Sequence, residues 1–86
     1  MKSYFLIGTM GKAETEAELD RQLPGQRYPW LLLALGGSDA IAYVNLEANG
    51  DVQVDISGRH YTKDEVVLRM LRALRNKIGG TIEDDT

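Results

Sequence analysis

The residues best equipped for chemistry stand at 57–61, where Ser57, Gly58, Arg59, His60 and Tyr61 follow one another. This run supplies a hydroxyl, a guanidinium, a phenol and an imidazole whose ordinary pKa lies near neutral pH. A helical pattern begins just after it. The unpaired N–H groups of that helix's first turn would stand beside Arg59 and His60 and could hold a small anion. Arg59, His60 and Tyr61 therefore form a candidate anion-binding set, with His60 as a candidate acid or base. The same residues also fit a solvated turn in which Tyr61 packs on the helix and Arg59 pairs with a carboxylate such as Asp55. No Ser–His–Asp or Glu–His arrangement follows from the spacing, so no catalytic residue is assigned and an enzyme is not the expected class.

Other motifs are weaker. Gly8-Thr9-Met10-Gly11-Lys12 sets glycines and a lysine between two elements, but it lacks the spacing of a nucleotide-binding loop and acidic residues follow at once. Glu14, Glu16, Glu18 and Asp20, like the terminal Glu83-Asp84-Asp85, do not alternate around a glycine turn as a Ca²⁺ loop requires. The chain has no Cys and one His among 86 residues, which excludes disulfides, thiolate metal sites and a His pair. No cofactor and no metal are expected.

Arg69, Arg72 and Arg75 recur three apart, a basic stripe on one helix opposed by the acidic run at 14–20. These fit an acidic and a basic helix lying side by side, two separately solvated faces, or a basic docking surface. Net charge is −3, the wrong sign for a nucleic-acid binder. The apolar run at the N-terminus is too short for a signal-peptide core, and no stretch approaches the roughly 20 apolar residues of a membrane span. A cytoplasmic location away from membranes is the expectation.

The elements that must position these groups follow from periodicity and breakers. Tyr4–Gly8 reads as a strand. Lys12–Leu23 reads as a helix with Ala13, Ala17, Leu19 and Leu23 on its apolar face and a capping box at Thr15 and Glu18. Trp30–Leu35, Ala40–Glu47 and Asp51–Ser57 read as three strands separated by turns at Gly36–Asp39 and Ala48–Gly50. The second helix has the clearest pattern. Thr62 and Glu65 form a capping box, Tyr61 and Val66 a hydrophobic staple, and Val66, Val67, Met70, Leu71, Leu74 and Ile78 an apolar stripe. Gly79 stands where a helix C-terminus wants a left-handed residue.

The expected architecture is α+β: a two-layer sandwich in the order β-α-β-β-β-α, with both helices on one face of a mainly antiparallel sheet. Residues 1–80 make a single domain, and 81–86 an acidic tail or a short terminal strand.

Register decides which residues remain outside. A three-residue Ala48–Gly50 loop pairs Leu46 with Val52, Val44 with Val54 and Ala42 with Ile56, gathering the apolar residues on one face. Placing Leu35 opposite Ala40 would then put Leu31, Leu33 and Leu35 inward. The outer face would carry Trp30, Leu32, Ile41, Tyr43, Asn45, Gln53 and Asp55. An exposed patch with aromatics marks an interface. The expectation is a protein-interaction surface that forms a homodimer or binds a partner protein, for example as an acidic immunity or inhibitor protein for a basic target.

Overall fold

A computed structural model of the chain describes residues 2–23, 30–33, 40–58 and 64–84. The elements follow the expected order: β1 (Lys2–Ile7), α1 (Lys12–Gln22), β2 (Trp30–Leu33), β3 (Ala40–Leu46), β4 (Val52–Ile56), α2 (Asp64–Ile78) and β5 (Thr81–Asp84). The terminal strand is therefore present. The sheet order is β2-β3-β4-β1-β5, and every neighbouring pair is antiparallel. β4 and β5 consequently run parallel with β1 between them, and α2 makes the crossover. This is a two-layer α+β fold.

Both helices lie on the same side of the sheet. The indole N–H of Trp30 on β2 donates to Asp20 on α1 at 3.0 Å. The hydroxyl of Tyr4 on β1 donates to Asp64 at the start of α2. Tyr4, Leu6, Trp30, Ala42, Val44, Val52, Val54 and Ile56 share the covered face and are buried together with Leu19, Val67, Met70, Leu71, Leu74 and Ile78 of the helices. The stripe read for α2 is thus its buried face, with Val66 half-buried at the margin. At its end Gly79 adopts φ 73° and its N–H bonds the Arg75 carbonyl. The capping residue Thr62 and the staple residue Tyr61 lie outside the described residues.

α1 departs from expectation in two ways. Its first residue is Lys12 and its N-cap is Gly11, so Thr15 sits within the helix rather than at its cap. The Thr15 hydroxyl instead bonds back to the Gly11 carbonyl at 2.7 Å, the four-residue back-bond open to Thr inside a helix. Ala13 and Ala17 face solvent, while Thr15, Glu18 and Leu19 are buried. The alanines stand two positions from Thr15 and Leu19, about 200° around the helix, so only one set can face the sheet. Leu19 carries the larger apolar surface.

The β3–β4 hairpin has the expected register, with Leu46, Val44 and Ala42 opposite Val52, Val54 and Ile56. Glu47 N–H bonds the Asp51 carbonyl, leaving Ala48, Asn49 and Gly50 as the loop, and Gly50 takes φ 95°. A Cβ at Gly50 would fall 2.9 Å from the Gly11 carbonyl carbon and from Lys12 N. Glycine here satisfies both the turn and the close approach of the β1–α1 connection.

The β2–β3 register is displaced by one residue from the expected pairing. Trp30 pairs with Val44, Leu31 with Tyr43 and Leu32 with Ala42, and a bulge then brings Leu33 opposite Ala40. Ile41 has no opposite residue, and it is buried beside Ala42. A one-residue slip turns every side chain to the other face. The physical gain is clear from sizes. A tryptophan buries roughly 150–250 Å², about 4–6 kcal/mol at ~25 cal/mol per Å², against roughly 1.5–3 kcal/mol for a leucine. The observed register buries Trp30 and gives its N–H a carboxylate. The bulge keeps Ile41 in the core as well.

Candidate functional site

The face not covered by α1 and α2 carries two rows of side chains across the sheet. Leu31, Tyr43, Asp55 and Ser3 stand side by side in one, and Asn45, Gln53, Phe5 and Glu83 in the next, with Ile7 opposite Thr81 beyond them. Tyr43 is 42% exposed and Leu33 46%, the most exposed large apolar side chains on the described strands. Leu31, Phe5 and Ile7 are half-buried.

Of the expected patch, Tyr43, Asn45, Gln53 and Asp55 do share this face. Trp30 and Ile41 do not: they are 0% and 4% exposed, on the core side. Leu32 packs against the core too, opposite Ala42. The correction follows from the register slip and the bulge. Leu31, Leu33, Phe5, Ile7 and Ser3 occupy the open face without having been expected there. For β1 the signal was faint, because Tyr4–Ile7 is apolar on both sides and only its pairing with β4 decides which alternate residues face out.

At the centre, Asp55 is held in a fixed orientation. Its Oδ1 accepts the Ser3 hydroxyl at 2.6 Å and the Gln53 side-chain amide at 3.1 Å. Among the described residues nothing bonds its Oδ2. Tyr43 is its cross-strand neighbour on β3. No Lys or Arg stands at an outward strand position among the described residues, while Glu83 lies outward on β5 and Glu47 and Asp51 border the face at the hairpin end.

The other sequence candidates take structural roles or fall outside the described chain. Arg59, His60 and Tyr61 lie outside the described residues. In the Gly8–Lys12 connection, Gly8 N–H bonds Asp51 Oδ1 at 3.1 Å, Met10 N–H bonds the Ile78 carbonyl at 2.9 Å, and the Thr9 hydroxyl bonds the Gly50 carbonyl at 2.8 Å. Those donors tie β1 to the hairpin and to α2, and they are not turned to a phosphate.

The acidic run on α1 is likewise engaged. Glu18 accepts from Nε and Nη2 of Arg21, and this pairing, chiefly, holds its carboxyl below the ordinary Glu value. Lys77 of α2 adds a smaller pull, consistent with the acidic and basic helices lying against each other. Arg69, Arg72 and Arg75 are exposed on α2, with Arg72 3.4 Å from Glu65.

Among the described residues no three or more His, Cys, Asp or Glu side chains are grouped so as to hold a metal ion. No helix among them is long and apolar enough to cross a membrane. Fold and face together define a two-layer α+β protein whose sheet is open on one side to the described elements. Comparison with known protein families, curated proteins and solved structures finds no match to the chain.

Proposed function

We propose that the chain is a small non-enzymatic interaction module that binds a partner protein through the open sheet face around Tyr43. The observation that carries this is the pairing of exposed Tyr43 and Leu33 with half-buried Leu31 and Phe5 on a face that neither helix covers. Apolar and aromatic surface of this kind is what an interface core contains. A partner protein fits better than a second copy. A twofold axis along the middle strand β4 would set the Asp55 carboxylates of both copies against each other, and opposed like charges cost several kcal/mol in an interface.

A photo-crosslinking side chain placed at Tyr43, with a control at Arg72 on α2, tests the proposal in extract of the cell that makes the protein. The expected result is a discrete protein adduct from position 43, competed by excess unlabelled wild-type chain and not by the Tyr43→Asp variant. Adducts from both positions alike, or none from position 43, would refute it.

A further inference from the structure

The proposal that follows deepens the interaction reading by naming the chemistry of the partner, and it rests on that reading. We infer that Asp55 and Tyr43 form a receptor for one arginine side chain presented by the partner protein, with apolar neighbours of that arginine seated on Leu31, Leu33 and Phe5.

Three observations converge on a cation. Asp55 is oriented before any partner arrives, because Ser3 and Gln53 both hold its Oδ1. Its Oδ2 takes no bond from the described residues, which leaves among them an acceptor oxygen of a charged group on the face that neither helix covers. A carboxylate that accepts a charged donor makes a shorter and stronger bond than a neutral pair. The oriented side chain also loses less conformational freedom on binding.

The second observation is the neighbour. Tyr43 stands directly across from Asp55 and is well exposed, so a cation at Oδ2 lies within reach of an aromatic face. A guanidinium suits this pair better than an ammonium. It is planar, stacks on an aromatic ring and is more weakly hydrated. It also has donors to spare: the Gln53 amide nitrogen already donates to Asp55, which leaves the Gln53 carbonyl oxygen as a further acceptor in the adjacent row.

The third is charge balance. The outward strand positions among the described residues hold Asp55 and Glu83 and no Lys or Arg. The charges that these positions contribute therefore favour a basic partner over an acidic one.

Titration of the ¹⁵N-labelled chain with the peptide Ac-Leu-Arg-Leu-NH₂ tests this, beside the same peptide carrying citrulline in place of arginine. The expected result is saturable shifts confined to amides of β3, β4 and β1 around Tyr43, Asp55, Gln53 and Ser3. Citrulline, an isostere without the charge, should bind at least fivefold more weakly. Asp55→Asn should abolish the difference between the two peptides, and Tyr43→Leu should weaken the arginine peptide several-fold. Should Asp55→Asn fail to fold, Tyr43→Leu and the citrulline comparison decide the matter alone.

Equal binding of both peptides, or shifts centred on Glu14 and Glu16 of α1, would overturn the receptor. Self-association in sedimentation velocity that Arg72→Ala removes would overturn a foreign partner in favour of a second copy's basic helix. A position-43 adduct combined with a silent arginine peptide would leave the interaction face standing and overturn only its preference for arginine.

Discussion

Trp30→Ala separates the two registers of β2 more sharply than any other single change. With Trp30 on the open face, as the pairing of Leu35 with Ala40 would place it, truncation would remove little. In the structure Trp30 is 0% exposed and its indole N–H bonds Asp20 on α1 at 3.0 Å. Removing a buried aromatic side chain costs roughly 3–5 kcal/mol through lost transfer energy and the cavity left behind. Loss of the indole donor to Asp20 falls within that sum.

For an 86-residue chain, at roughly 0.05–0.15 kcal/mol per residue, total stability is about 4–13 kcal/mol. The variant should thus lose about a quarter of its stability at the least. Urea unfolding followed by far-UV circular dichroism is the assay, because the variant lacks the chain's only Trp. Midpoint and slope are both needed, since only an unchanged slope licenses the comparison. If Trp30→Ala does not fold, Trp30→Phe keeps a ring in the core and loses the bond to Asp20, for roughly 1–2 kcal/mol. Tyr43→Thr is the partner measurement. It puts a β-branched strand former at a 42% exposed site and should cost no more than about 1 kcal/mol. A loss below about 1 kcal/mol for Trp30→Ala with a larger loss for Tyr43→Thr would refute the observed register.

Three further outcomes are expected. Gly50→Ala should cost roughly 2–4 kcal/mol, from a left-handed φ of 95° and a Cβ 2.9 Å from backbone atoms of Gly11 and Lys12; Gly58→Ala, which meets nothing within 4 Å, should be close to neutral in the same denaturation series. Tyr4 is pushed from 10.0 up to about 12, chiefly by its hydrogen bond to Asp64 and then by burial. The folded state thus keeps a phenol proton that the unfolded chain releases, so this contribution is full below pH 10.0 and disappears as pH rises towards about 12. Tyr4→Phe should remove one late step from the phenolate absorbance titration and flatten that part of the alkaline stability profile. Thr15→Val should cost roughly 1–2 kcal/mol in thermal or urea melts, because a fully buried hydroxyl donates to the Gly11 carbonyl at 2.7 Å; a neutral result would show that this bond contributes nothing.

The sequence by itself determined the parts of this protein whose signals are local. Element order, the buried stripe of α2, the glycine that ends it, and the three-residue hairpin with its β3–β4 register all follow from periodicities and turn residues within a few positions of one another. Four residues of the outer face were legible as well, since Tyr43, Asn45, Gln53 and Asp55 alternate with the buried residues of β3 and β4.

Tertiary structure decided which face received Trp30, Ile41 and Leu32. Trp30–Leu33 is apolar at every position, so alternation says nothing about its sides, and the bulge at Ile41 breaks the parity that would carry a register across from β3. The choice was made by a partner that the fold brings close and that the strand's own pattern does not contain: α1 supplies Asp20 to the indole and closes the core over it. The same holds for Ser3. Nothing in its neighbours along the chain announces it, yet strand pairing at a separation of 52 residues sets its hydroxyl on the Asp55 carboxylate. Burial of the largest side chain and satisfaction of its one donor outweighed local alternation, and that moved the centre of the open face from Trp30 to Tyr43 and Asp55.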